Sequence, residues 1–403
     1  RGVLAHVVIG SILLVAGVVS WIFTRWRVDN GDLWIEAGLL RRSSQRFPLT
    51  QVQAIDIVRP LLARGLGLAE LRLRMGGATG GSGRLAYLPA GQANTVRAEL
   101  LALGQGRAGA VAGQGLADLP APPVEGALVA LQTARLVASI LLSRAAVVAL
   151  VAAVALAVVQ WTAAQEVVPI LGSSGAGALG LLTVLWRRFN GNYRLRVVDA
   201  ADGLRLSSGL LETTAETIPK GRIQAVRMLQ PLLWRPLGWC RVEVDVAGRQ
   251  HRGEENAAEG RQLRAVLPVG TRAEAAALLS VVLPGVPTDR ARPPTRARWK
   301  SPLRFHYLAW GVNADAVVTT SGRFSRVTAW VPLNKVQSLR RIQGPVQRCL
   351  KLSTIYLDTA GRSVHSAIRD RDAFEAERIL SDLTLACRDA RRAGGPTPGR
   401  PAS

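Results

Sequence analysis

Residues 209–244 read GLLETTAETIPKGRIQAVRMLQPLLWRPLGWCRVEV, and their spacing returns twice more in the chain without a gap. The other copies are GLLRRSSQRFPLTQVQAIDIVRPLLARGLGLAELRL from Gly38 and GRFSRVTAWVPLNKVQSLRRIQGPVQRCLKLSTIYL from Gly322. In each, a Pro follows the Gly by ten residues (Pro48, Pro219, Pro332). A Gln follows that Pro by five (Gln53, Gln224, Gln337), and an Arg follows the Gln by eleven (Arg64, Arg235, Arg348). Three stretches holding three spacings mark a repeated structural unit.

The repeat is β in character. Ahead of each Gly lies a run that ends in turn residues, at 28–32, 198–203 and 312–315, where Asp, Asn and Gly supply hairpin chemistry. After each Arg the pattern alternates in one register. Leu71 and Leu73, Val242 and Val244, and Ile355 and Leu357 should share a buried face, with Arg72, Glu243 and Tyr356 on the other. Each Pro is expected to open a strand, where its missing N–H costs nothing.

The copies should close with helices. Thr271 and Glu274 form a capping box for a helix to about Val282, and a shorter helix is expected over 95–103. Asp372 and Glu375 should cap a longer one that buries Phe374, Ile379, Leu383 and Ala386. Six or seven short antiparallel strands and one helix, in about 85–100 residues per copy, suit a small barrel or sandwich.

Outside the repeats lie apolar runs at 2–23, 145–161 and 167–186. About 20 such residues suffice to cross a hydrocarbon core, so the expected fold class is a membrane protein with α-helical transmembrane segments and three β-rich domains. The last two runs, separated by 162–166, read as a hairpin. Arg135 and Arg144 flank one end and Arg187 and Arg188 the other, which puts both ends on the cytoplasmic side. Trp26, Trp161 and Trp186 stand where an aromatic belt would hold them. A cleaved leader is disfavoured because Arg25 and Arg27, not small residues, follow 2–23. The chain opens at Arg1, so a preceding segment is expected.

Of 403 residues 48% are hydrophobic and 20% charged, and the net charge is +23. All but four of the 51 basic residues are Arg, the exceptions being Lys220, Lys300, Lys335 and Lys351. Such a balance suits a nucleic acid, an anionic membrane surface or an acidic partner. An Arg- and Ala-rich genome combined with the positive-inside rule accounts for it as well. Nucleic acid is disfavoured because the aromatics that would stack bases cluster at span ends and in cores. Cys240, Cys349 and Cys387 form no CxxC pair, which argues against a zinc site or a disulfide framework.

The pattern G-L-L…P-x-x-x-[VI]-Q-x-[IV]…R-x-L-G, in three copies interleaved with apolar hairpins, resembles the bacterial PH-like membrane proteins of the YdbS/YdbT type. Their repeated unit is the second class of bacterial PH domain. The resemblance implies a pleckstrin-homology-like fold, a two-sheet barrel with a C-terminal helix, and a first hairpin helix ahead of Arg1. On this reading 1–24 is a transmembrane helix and 25–104 the first PH-like domain. A Gly/Ala/Pro-rich linker at 105–135 and a hairpin at 136–187 follow. Domain two spans 188–284, a Pro/Arg-rich linker 285–300, domain three 301–392 and a disordered tail 393–403. The third copy departs from the pattern, with Arg-Phe after Gly322 and Cys349-Leu350-Lys351 in place of the Pro- or Gly-Leu-Gly run.

No catalytic constellation is expected. GxxxxGK[ST], HExxH and GxSxG do not occur, and His6, His251, His306 and His365 have no ligand-spaced neighbour. His251 reads as an exposed hairpin residue and His365 as core or edge packing. Gly76–Gly83 reads as a hairpin tip rather than a phosphate cradle. The repeated Pro, Gln and Arg are the candidate site residues. A strand Gln can satisfy backbone groups and an Arg beside a turn can bridge a carboxylate, so structural and partner-binding roles both stand. Arg41, Arg42, Arg340, Arg341 and 290–298 are candidates for anionic headgroups.

The expected protein is therefore non-enzymatic, without cofactor or metal, in the bacterial plasma membrane with its modules cytoplasmic. It would serve protein–protein interaction or assembly, in a setting of envelope stress or resistance. Its partners would be the bilayer, a smaller PH-like membrane protein or further copies of itself. Anionic lipid binding and membrane export are the alternatives, the latter weakened because His6 alone is ionisable within a span.

Overall fold

The computed structural model describes residues 25–29, 32–37, 43–75, 82–104, 127–162, 168–200, 203–247, 263–283, 285–361 and 363–394. The chain forms two compact units, Arg1–Gly126 with Arg205–Thr217, and Ala127–Leu204 with Ile218–Ser403.

In the first unit β1 (Arg25–Asp29), β2 (Asp32–Ala37) and β3 (Ser43–Pro48) form an antiparallel sheet in that order. β4 (Val52–Arg59), β5 (Leu68–Met75) and β6 (Ser82–Pro89) form a second meander. The helix Ala90–Gly104 follows directly. Leu33, Phe47, Ile55, Leu71, Leu73, Leu85, Ala93 and Leu100 make one core from both sheets and the helix. The expected face of Leu71 and Leu73 is thus the buried one, because alternate residues of a strand share a side.

The second unit repeats the plan. It contains the short β7 (Val129–Ala130), paired with β8 (Arg196–Ala200). β9 (Gly203–Ser208) and β10 (Thr213–Ile218), most of whose residues belong to the first unit, follow in the chain. β11 (Ile223–Pro231), β12 (Trp239–Val246) and β13 (Leu263–Thr271) are the second copy's second meander. The third copy supplies β14 (Ala309–Val312), β15 (Ala316–Ser321) and β16 (Ser325–Pro332), then β17 (Val336–Ile342), β18 (Leu352–Thr359) and β19 (Ser366–Asp372). Helices Arg272–Val282 and Ala373–Gly394 close the two copies.

Both closing helices start as the sequence predicts. Thr271 and Glu274 make the capping box, and the Asp372 carboxylate accepts from the Phe374 and Glu375 N–H groups. Ile379 and Leu383 enter the core of the third copy beside Ile355, Leu357 and Ile368. Phe374 does not. At the second position of the helix it lies 80% exposed, on the side turned away from the sheet.

The transmembrane expectation is corrected. Three helices, Thr133–Leu141, Arg144–Thr162 and Val168–Asn192, occupy the region of the hairpin. Among the described residues no single helix is long and apolar enough to cross a membrane. In the second, the uninterrupted apolar run of about 15 residues extends about 23 Å, short of the ~30 Å hydrocarbon core. In the third, glycines and serines dilute the apolar stretch before Arg187 and Arg188 interrupt it. Thr133–Leu141 with Arg144–Ala152 passes by length and composition as a pair, bent by 50°. The run 2–23, the turn 163–167, residues 105–126 of the first linker and the tail 395–403 lie outside the described residues.

The repeated Pro closes a strand rather than opening one. Pro48, Pro219 and Pro332 each precede a single 3-10 turn, with φ of −62°, −62° and −60°. That is the angle the pyrrolidine ring fixes, and the first turn needs no N–H there. A second motif position is also set by dihedral angle. Gly67 (φ 70°), Gly238 (φ 64°) and Lys351 (φ 51°) occupy equivalent places, all left-handed. The third copy keeps the turn although a lysine has replaced the glycine. A side chain costs about 1–2 kcal/mol in that region. Replacing Lys351 with Gly should therefore raise stability by up to about 1 kcal/mol, and Gly238→Ala should lower it by a similar amount. Thermal denaturation of the two variants checks this, since their Tm shifts must have opposite signs.

Candidate functional site

Each copy holds two meanders, and the second meander of one copy pairs with the first meander of the next. β4 of the first copy pairs antiparallel with β10 of the second, Thr213 facing Arg59 and Ala215 facing Ile57. β11 of the second copy pairs with β16 of the third, with Arg326 facing Gln230, Thr328 facing Met228 and Trp330 facing Val226. The ungapped repeat makes Arg59 equivalent to Gln230 and Thr213 equivalent to Arg326, so both junctions share one register. Pairing satisfies the row of N–H and C=O groups that a sheet edge would leave to solvent.

Further hydrogen bonds fasten each junction. In the first, Arg97 donates to the Thr217 hydroxyl (2.6 Å) and Arg72 to Glu212 (3.3 Å). In the second, Lys335 donates to the Gly221 carbonyl at 2.8 Å and the Leu232 N–H to the Phe324 carbonyl at 2.9 Å. Glu243 of β12 sits buried between Arg227 and Arg241, at 2.5 and 2.7 Å. Asp245, fully buried, reaches the loop after β18 and accepts the Ser363 and Val364 N–H groups at 2.9 and 3.0 Å. Gly361 is packed so tightly there that a Cβ would stand 2.4 Å from the Asp245 carboxylate. Sequence reasoning missed Asp245. Its signal was an acid between Val244 and Val246 in a strand that β11 and β13 flank on both sides.

The nine motif residues do not converge on one site. The Arg backbone does the same work three times. The carbonyls of Arg64, Arg235 and Arg348 accept the N–H of Gly67, Gly238 and Lys351 at 3.2, 3.1 and 3.1 Å. Their side chains diverge. Arg235 donates to the Arg323 carbonyl and lies over the Tyr307 ring, gripping the third copy, whereas Arg64 and Arg348 are exposed. Pro48, Pro219 and Pro332 are half-buried at the 3-10 turns. Gln224 is buried and donates to the Arg222 carbonyl at 3.2 Å, while Gln337 is exposed. The Gln53 side chain lies outside the described residues.

That contrast tracks the sheet edges. β11, flanked by β12 and β16, has no exposed residue, whereas in β17, paired with β18 alone, Gln337, Ser338, Arg340, Arg341 and Ile342 are exposed. β3, equivalent to β10 and β16, is paired with β2 alone, and its Ser44, Gln45 and Arg46 are exposed. These two edges are the candidate interaction surface. Arg340 and Arg341 on β17 are already held by Asp358 (2.6 Å) and Glu377 (2.9 Å). The hydrogen bond from Arg340, helped by Ser338, keeps the Asp358 carboxyl below the usual carboxylate range.

The other sequence candidates separate from any site. His306 and His365 are exposed, the latter in a loop rather than the core, and His6, His251, residues 76–81 of the glycine run, Arg41 and Arg42 lie outside the described residues. In the 290–298 stretch Arg296 pairs with Asp372 and donates to the Lys351 carbonyl, while Lys300 just beyond pairs with Asp370. Cys240 is buried and its thiol is pushed up to about 11 by burial, so it stays protonated; Cys349 is exposed. Among the described residues no three His, Cys, Asp or Glu side chains come together as for a metal. A dent lined by Trp310, Thr320, Arg369 and Arg371 encloses about 10 Å³, the size of one water and far below the ~300 Å³ of a small-molecule pocket.

Burial pushes the Asp245 carboxyl above its ordinary value, against the pull of the Val364 and Ser363 N–H groups. A carboxyl whose folded value is raised contributes stability at acid pH and loses it as pH climbs through that value. From about pH 4 upward, the wild type should therefore lose Tm relative to Asp245→Asn, which stays neutral and keeps an accepting oxygen. Thermal scans of both proteins from acid to neutral pH check this, and a difference that does not change with pH would remove Asp245 as the source.

No curated protein matches the chain. The model of the bacterial PH domain family matches three segments, 1–104, 126–280 and 262–384, which between them contain all three copies of the repeat. The protein belongs to the bacterial PH domain family.

Proposed function

We propose that the protein is a non-enzymatic scaffold whose PH-like modules are joined edge to edge and whose outer sheet edges receive protein partners. The observation that carries this reading is the exposed β17, a strand whose counterparts β4 and β11 are both paired with a neighbouring copy. PH-like domains are interaction modules for protein or lipid, which is coarser than this reading and agrees with it. The narrower kinship with the YdbS/YdbT type rests on the spacing of the copies and belongs to the same reading.

Protein is favoured over anionic lipid because four basic residues in and beside the stretches singled out for headgroups are already engaged. Arg340, Arg341, Arg296 and Lys300 hold Asp358, Glu377, Asp372 and Asp370, which leaves less free charge for headgroups at those positions. Strand addition to a free edge gives affinity through main-chain hydrogen bonds and needs no cofactor.

A photoreactive side chain placed at Ile342 or Gln45 of the full chain, in cells, should yield covalent polypeptide adducts. The same group at Leu385, exposed on the closing helix, should not. Absence of polypeptide adducts from both edges would overturn the scaffold reading. Cosedimentation with anionic vesicles that weakens as salt rises would then favour the lipid alternative.

A further inference from the structure

The two ends of the series carry the unused halves of one junction. β3 stands in the first copy where β10 and β16 stand in the others, and no described strand lies beyond it. β17 stands where β4 and β11 stand, and no described strand lies beyond that. Resting on the scaffold reading above, we infer that a second copy of this chain adds its β3 antiparallel to β17, so that chains join head to tail.

The register follows from the junctions already formed. Leu229 faces Val327 and Met228 faces Thr328. The ungapped repeat carries those pairs to Ile342 opposite Ser43 and Arg341 opposite Ser44. Arg340 then faces Gln45, and Leu339 faces Arg46. No like charges oppose each other in this arrangement, which is a condition for stable cross-strand pairs. Arg340 occupies the place of Arg227, which faces Ala329 within a formed junction, so a cation there is compatible with pairing.

The edge charges also set strength and specificity. Arg340 and Arg341 are neutralised by carboxylates of their own copy and would not need to shed them on association. Exposed charged residues discourage indiscriminate strand pairing, so a partner must offer short or uncharged residues opposite them. Ser44 and Gln45 do so. The inner junction sets Trp330 and Val327 against Val226 and Leu229, whereas the outer one is mostly polar, so association between chains is weaker than cohesion within one. The contact is heterologous, joining different faces of two identical chains, and it propagates or closes into a ring rather than stopping at a dimer.

The test uses the full chain with Cys349→Ser, since Cys240 and Cys387 are buried. Two differently tagged populations are mixed and oxidised, one carrying Ile342→Cys and the other Ser43→Cys. A mixed disulfide should form, and again for Arg341→Cys with Ser44→Cys. Arg341→Cys with Gln45→Cys, one residue out of register, should give little, because a slip of one turns a side chain to the opposite face. Absence of both in-register disulfides, equal yield from the shifted pair, or disulfides only between two Ile342→Cys chains would overturn the proposal. Sedimentation supplies a second readout. Ile342→Lys with Ser43→Lys should weaken self-association up to about fivefold relative to Ile342→Lys with Ser43→Asp. If photo-adducts at Ile342 persist while the disulfides fail, the scaffold reading stands and the partner is a different protein; if both fail, both readings fall.

Discussion

A strand at the rim of a sheet carries a row of N–H and C=O groups that must find partners, water or cover. In this chain the demand is met by the next copy of the same unit. β4 finds β10 and β11 finds β16, and the remaining architecture follows from that linkage. The meander of one copy therefore cannot be separated from its neighbour without exposing a ladder. The contacts that fasten the junctions, from Arg97 and Thr217 to Asp245 and the Ser363 loop, add to main-chain pairing instead of replacing it.

The same demand explains why equivalent residues differ in exposure. Gln224 and Gln337 occupy one motif position, yet one is buried and the other open to solvent. Arg235 grips a carbonyl and an aromatic ring of the following copy, while Arg348 has no following copy in the described structure to grip. Motif spacing encodes the turn, through a carbonyl that accepts three residues on, and the neighbour decides what the side chain does. A buried acid at the second junction fits this picture. Asp245 is costly to bury, and it persists where two N–H groups of the adjoining copy need an acceptor.

Where sequence reasoning went astray, a physical reason is at hand. Hydrophobic runs at 145–161 and 167–186 suggested spans, yet the helices there are too short in their apolar part or too diluted by glycine and serine. Phe374 was grouped with the core face, yet it stands five residues before Ile379 and so, at about 100° per residue, points away from the face that Ala376, Ile379 and Leu383 bury. The motif Pro suggested a strand start because its missing N–H is harmless there. It is equally harmless just ahead of a 3-10 turn, where the fixed φ also helps.

The sequence by itself determined the unit. Period-two alternation chose the buried faces of β5, β12 and β18, and the capping residues chose the helix starts at Thr271 and Asp372. The ungapped spacing established three copies, because each of these signals depends only on residues close in the chain. Tertiary structure alone decided how the units join. Which edge meets which, in what register, and which of three equivalent glutamines is covered are matters of main-chain hydrogen bonding between segments far apart in sequence. Main-chain groups are the same in every residue, so no side-chain pattern announces them, and the free edges of β3 and β17 become visible only once the paired ones are known.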